Sequence, residues 1–203
     1  VIMAKLYFRW GVMNSGKSLE IISKNYNFKE RGIGTLIMKP CADTRDSNVI
    51  KSRALNTELF AIPLSENDNP LYKAESYIAA QEASGRPAVK WILVDEAQFL
   101  TPGQVDQLAR IVDELDVNVI CYGLRTDFRQ QLFPGSKRLF EVADKFEEMR
   151  STCRCGNRAD VNVRYNKDGS IVTEGPQVEC GSEDKYITLC RKCYKQALED
   201  GHI

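Results

Sequence analysis

Gly11-Val12-Met13-Asn14-Ser15-Gly16-Lys17-Ser18 is the run on which the fold turns. Its two glycines, its lysine and its final hydroxyl stand at the spacing of a chain that passes from a strand into a helix around phosphate. Small residues let consecutive backbone N–H groups converge on phosphate oxygens, and the following helix aims its positive amino end at the same point. The flanks agree: Lys5 to Trp10 alternates like a strand, and Leu19 to Phe28 is amphipathic. A chance glycine-rich turn would lack them. The whole run is therefore expected to bind the phosphates of a nucleoside triphosphate, with Lys17 neutralising the β and γ groups and Ser18 holding Mg2+.

Outward from this loop the chain alternates strand-like and helix-like pieces, the pattern of a sheet with helices packed on it. Expected elements are a helix over Ser18 to Arg31, a strand over Thr35 to Lys39 and a helix over Asn69 to Ser84. Trp91 to Val94 reads as a strand buried on both faces. Thr101-Pro102 opens a helix to about Leu115, and Asn118 to Gly123 returns as a buried strand before a loop to Gln131. The fold class is α/β: a RecA-like parallel sheet around a phosphate loop, flanked by helices. Composition changes near Ser151, where a hairpin-like pattern begins (Val161 to Tyr165, a turn at Asn166 to Gly169, then Ser170 to Val172), with a short helix after Cys193. The expected division is 3–150 for the phosphate-loop domain and 151–203 for a small satellite.

Asp95 and Glu96 end the apolar strand at the carboxyl edge, where ligands of parallel α/β sheets gather. Asp95 is placed to hold Mg2+ through water. Glu96 is placed to face the attacking nucleophile and take or orient its proton. Were Glu96 to orient water instead, the protein would be a plain ATPase. Cys153-Arg154-Cys155-Gly156 and Cys190-Arg191-Lys192-Cys193 supply four soft thiolates from two knuckles, which suits a closed tetrahedral Zn2+ site with no catalytic opening. Such an ion would tie together the ends of the Asn157 to Leu189 segment, which has little core of its own. Two disulfides or four free thiols are the alternatives.

The chain has 203 residues, 43% of them hydrophobic, enough for one substantial core and an appendage. Lys plus Arg and Asp plus Glu both number 28, so there is no global positive field to gather nucleic acid. No apolar stretch reaches membrane-spanning length and no secretory leader pattern is present, so a cytoplasmic protein without membrane contact is expected. Val1 and Ile2 precede Met3, which is taken as the natural start. Seven cysteines, an odd number, argue against a fully paired disulfide framework, and the single histidine, His202, leaves proton transfer to a carboxylate.

Four blocks together resemble the type II thymidine kinases over essentially all of Met3 to Gly201: Gly11 to Ser18, Asp95 to Phe99, Cys121 to Arg129, and Gly175 to Tyr194 with Lys185-Tyr186 and the second cysteine pair. The resemblance implies transfer of the γ-phosphate of ATP to the 5'-hydroxyl of thymidine or deoxyuridine with Mg2+, in nucleotide salvage. It implies Glu96 as proton acceptor, Gly11 to Ser18 and Asp95 to Gln98 at the ATP site, and Cys153, Cys155, Cys190 and Cys193 on structural Zn2+. The segment between the knuckles would be a lasso loop over the nucleoside. By the same matching, Gln177, Val178, Glu179, Cys180 and Gly181 would meet the thymine edge through backbone groups. Phe128 and Tyr186 would pack on base or sugar, Met13 and Leu124 would line the methyl pocket, and Arg45 would lie near the transferred phosphate. A homotetramer and feedback inhibition by thymidine triphosphate are also implied. Cys180, where family members often carry an apolar residue, and Ala97, after Glu96, are departures.

Independently of any family, Gln177 to Leu189 offers Lys185 as its one basic residue among several acidic ones, so a neutral acceptor fits better than a phosphorylated one. Two rivals remain at this point. Asp95-Glu96-Ala97-Gln98 also resembles a helicase segment, which would make the chain a nucleic-acid-stimulated ATPase with a structural zinc module. A zinc-held regulatory binder that hydrolyses nothing is the other.

Overall fold

The computed structural model describes residues 3–41, 49–52, 57–177 and 185–203. Its first half holds β1 (Leu6–Gly11), α1 (Lys17–Glu30), β2 (Gly34–Pro40), β3 (Val49–Ser52), β4 (Thr57–Phe60), β5 (Ile62–Leu64), α2 (Pro70–Ala83) and β6 (Val89–Val94). After a single 3-10 turn, Ala97–Phe99, come α3 (Pro102–Leu115), β7 (Asn118–Gly123), α4 (Pro134–Val142) and β8 (Lys145–Met149). Short strands β9 (Ser151–Thr152) and β10 (Arg158–Ala159), then β11 (Val161–Tyr165), β12 (Ile171–Val172), β13 (Lys185–Leu189) and α5 (Arg191–Asp200) complete it.

Six strands form one sheet in the order β5-β2-β6-β7-β1-β8, and every neighbouring pair is parallel. Parallel pairing needs crossovers, and these deposit helices on both faces. Side-chain alternation then decides which residue meets which helix. Phe8, Met38, Ile92, Val94, Val119 and Cys121 face a core shared with α2, α3 and α4 through Leu71, Leu108, Ile111 and Leu139. Ile37, Leu93, Ile120 and Tyr122 face the other way, onto Ile21 and Ile22 of α1 and Ile50 of β3. The Ile92–Val94 part of β6 is thus buried on both faces, as the apolar run from Trp91 to Val94 predicts.

The helix starts follow local chemistry. Asn69 accepts from the Leu71 and Tyr72 N–H groups at the head of α2, and Thr101 and Gln104 form a reciprocal capping box on α3. Proline occupies the first turn of α2, α3 and α4, where its missing N–H costs nothing. The β3–β4 hairpin, α4 and β8 are additions that the sequence reading did not anticipate. The last helix is also placed differently: α5 begins at Arg191 with Cys190 as its cap, so Cys193 lies inside its first turn rather than before it.

All elements after β8 belong to small antiparallel sheets, β9–β10 and β12–β11–β13, with α5 against them. The turn Asn166 to Gly169 closes β11 onto β12 as expected, and the His202 ring sits over it, Nε2 lying 2.6 Å from the Asp168 carbonyl oxygen. Among the described residues, no helix is long and apolar enough to cross a membrane.

Ile92 is fully buried at the centre of the sheet. Ile92→Ala should lower unfolding stability by about 2–5 kcal/mol in a urea titration, through lost burial and the cavity left behind. A loss below about 1 kcal/mol would contradict this placement.

Candidate active site

β1 ends at Gly11, and the next five residues carry the chain into α1. A Cβ on Gly11 would stand 2.4 Å from the Met149 carbonyl oxygen and 2.5 Å from Ser15 Oγ, so only glycine lets the strand turn here against β8. Asn14 and Gly16 take left-handed backbone, φ 59 and 85, and no side chain caps α1. The amide groups at the head of α1 are left to an external acceptor, which the helix dipole makes favourable for an anion. Residues Met13 to Leu19, with Lys51, Glu96 and Leu124, wall an open cavity of about 430 Å3. Gly11 and Val12 are buried and do not line it.

Lys17 is buried, and its Nζ donates to the Val12 carbonyl oxygen at 2.7 Å and to Ser15 Oγ at 3.2 Å. Burial pushes its ammonium below the usual lysine range, and the Glu96 and Asp95 charges push back the other way. Asp95 is only 4% exposed at the end of β6. Desolvation, reinforced by the Glu96 charge, pushes its carboxyl up to about 7. Its Oδ1 is buried with no hydrogen-bond partner among the described residues. A buried, unpartnered carboxylate oxygen within electrostatic reach of Lys17 fits a hard divalent cation, and Ser18 offers a second oxygen ligand from the loop.

Glu96 takes left-handed backbone, φ 50, and its carboxylate enters the wall of the 430 Å3 cavity. Gln98, 1% exposed, holds it: Nε2 donates to Glu96 Oε2 at 2.5 Å, while Oε1 accepts from the Leu124 N–H at 3.0 Å. Gln98 is therefore a brace behind the acid, and it faces a different cavity, of about 560 Å3, with Phe99 and Gln104.

A second cavity, of about 180 Å3, adjoins the first and shares Met13 and Leu124 with it. Phe128, Gln177 and Tyr186 line it, so the structure brings all five described members of the expected nucleoside set together. Its walls are chiefly aromatic and aliphatic, which suits a flat uncharged ring. Phe128 is stacked against the Arg164 guanidinium at 5.2 Å. The Gln177 side chain does not point away into solvent: Nε2 donates to Asp127 Oδ2 at 3.1 Å, and Asp127 is also held by Arg129. Arg45, Val178, Glu179, Cys180 and Gly181 lie outside the described residues.

Several site residues went unread in the sequence. Phe99, Thr126, Asp127, Phe133 and Asn162 also line the second cavity, and Lys51, carried on the β3–β4 hairpin, lines the first. Thr126 and Asp127 stand within a block already singled out, which was their signal. Asn162 gave none, because a polar residue alternating with valines reads as the wet face of a strand.

The four cysteines converge, their sulfurs all within 4.8 Å of one another and Cys155 Sγ 3.6 Å from Cys190 Sγ. Tetrahedral zinc–thiolate bonds would set sulfurs about 3.8 Å apart, so the cluster fits that ion. No disulfide joins any of the four, and 3.6 Å between the Cys155 and Cys190 sulfurs is far beyond an S–S bond, so the arrangement is that of a ligand set rather than two disulfides. Hydrogen bonds from Asn157 hold the Cys155 thiol down to about 6, whereas its sulfur neighbours push Cys193 up to about 12. Four sulfurs so close together ionise jointly only around a cation.

Comparison with known proteins agrees with this geometry. The thymidine kinase family model matches residues 4–194. The chain is 41% identical over 198 residues to a thymidine kinase of Jannaschia sp. (strain CCS1), covering 98% of either chain. It is 42% identical over 197 residues to that of Zymomonas mobilis, covering 97% of this chain and 98% of the other. For the thymidine kinase of Salmonella typhimurium the identity is 39% over 201 residues, covering 99% and 95%. A match of this extent, on a fold with a phosphate loop, a braced acid and an adjoining ring-sized cavity, shows that the chain belongs to the type II thymidine kinase family.

Proposed function

We propose that the chain transfers the γ-phosphate of ATP to the 5'-hydroxyl of thymidine or deoxyuridine, with Glu96 as the proton acceptor. The observation that supports this most is the shared wall of the two cavities, Met13 and Leu124, with Glu96 on the phosphate side of it. A nucleoside ring in the smaller cavity would extend its sugar alcohol across that wall toward the acid and the terminal phosphate. Phosphoryl transfer demands little covalent help, so alignment and charge carry most of the catalysis.

The residues divide that work. Backbone N–H groups of the loop and Lys17 would hold the phosphates, and Ser18 and Asp95 would hold Mg2+, which when bound spreads the charge developing on the phosphate oxygens. Gln98 keeps the Glu96 carboxylate aimed while the acid takes the alcohol proton. Phe128, Tyr186 and Phe133 would clasp the ring, and the segment from Gln177 to Gly181 would meet its edge. Arg45 would lie near the transferred phosphate. Zn2+ on the four cysteines would be structural, with 3–150 and 151–203 as the working division of the chain.

Thymidine triphosphate joins both chemistries in one molecule, base for one cavity and phosphates for the other, so it would span them as a feedback inhibitor. A homotetramer and a cytoplasmic location follow from the resemblance alone. The balanced charge of the chain supports a nucleoside rather than nucleic acid as the acceptor.

Two outcomes are expected. Glu96→Gln should retain Mg-ATP binding and lose about 10²- to 10⁴-fold in kcat with thymidine, and near-normal turnover would remove Glu96 as the base. Elemental analysis of the purified chain should find one zinc per polypeptide, and stripping it with a strong chelator should lower the thermal midpoint. Four thiols that titrate freely in the native protein, with no metal present, would contradict the structural zinc.

A further inference from the structure

β11 presents two buried faces, although its sequence alternates apolar and polar residues. Val161 and Val163 enter the apolar cluster that holds Cys153, Cys190 and Leu189. Asn162 and Arg164 point to the opposite side of the pleat and are also buried, at 3% and 4% exposure. Asn162 reaches two loops at once: its Oδ1 accepts from the Met13 N–H at 2.8 Å, and its Nδ2 donates to the Thr126 carbonyl oxygen at 3.2 Å. Val12, immediately before Met13, packs its side chain into the same cluster as Cys153, Val161 and Val163. The phosphate loop is thus gripped at two successive residues by the cysteine-bearing region.

The Met13 N–H and the Val12 carbonyl belong to one planar peptide, so fixing the first aims the second. That carbonyl is where Lys17 Nζ donates, at 2.7 Å. A chain therefore runs from Asn162, through the 12–13 peptide, to the lysine that meets phosphate. It also removes the Met13 N–H from the donors left for a ligand. A phosphate cradle binds tightly because its donors are oriented before the ligand arrives, and without the Asn162 carboxamide this peptide loses the bond that fixes its N–H side.

We propose that Asn162 is a positioning residue of the ATP site: it locks the Val12–Met13 peptide, and hence the phosphate loop and Lys17, to the cysteine-bearing region. Its second bond, to Thr126, ties the acceptor cavity to the same side chain. The inference rests on the reading of the loop as a triphosphate cradle, and the experiment separates the two. Binding of Mg2+ with β,γ-imido-ATP is measured by calorimetry, thymidine absent, for the wild type, Asn162→Leu and Val12→Ala. Failure of the wild type to bind would sink the cradle itself.

With the wild type binding, Asn162→Leu, which keeps the shape and loses both bonds, should bind the analogue about tenfold more weakly. Its KM for ATP should rise by a similar factor while kcat at saturation changes less, a split that general loss of folded protein would not produce. Val12→Ala should weaken the analogue in the same direction, and it decides the matter if the leucine variant does not fold. Analogue binding within about twofold of wild type in the folded variant, or a KM rise confined to thymidine, would overturn the proposal.

Discussion

Everything in this molecule depends on one geometric constraint: parallel strands deliver their carboxyl ends to a single edge of the sheet. β1 and β6 are separated only by β7, so the loop after β1 and the acids after β6 open onto the same edge without any long-range search. The price of that convergence is crowding. Gly11 has no room for a side chain, Asp95 is buried with an oxygen that has no partner among the described residues, and Lys17 is desolvated. The two desolvated charges are of a kind that a divalent cation and a polyanion respectively relieve. The site is tense where its ligands' charges would enter.

The smaller antiparallel region is more than an appendage. It supplies Asn162 and the apolar cluster that hold Met13 and Val12 of the phosphate loop, and Tyr186 and Gln177 in the wall of the second cavity. A four-cysteine cluster is a compact way to give such a region rigidity, because two short sheets and one helix bury little apolar surface. β11 and β13 connect that cluster to the cavities, through Asn162 and Tyr186.

What could be read in the sequence was whatever carried its own periodicity or spacing. The phosphate loop, the doubly buried β6, the capped α3 and the paired cysteines all announce themselves within ten or so residues. The elements that escaped lack such signatures. β8, Lys-Phe-Glu-Glu-Met, is a charged edge strand with only one neighbour, so no apolar alternation marks it. Pro134-Gly135-Ser136 looks like a turn, yet it opens α4, whose Ser136 hydroxyl donates to the Leu124 carbonyl oxygen. Asn162 escaped because its partners are 149 and 36 residues away, a distance no local pattern spans.

The central claim is that the loop presents a phosphate to a sugar alcohol lying beside Glu96 rather than to water. Its most direct test is phosphorus NMR of the reaction products from Mg-ATP and thymidine. The account predicts thymidine 5'-monophosphate and ADP appearing in equal amounts, with no ADP formed when thymidine is omitted. ADP accompanied by inorganic phosphate, at a rate indifferent to thymidine, would contradict it.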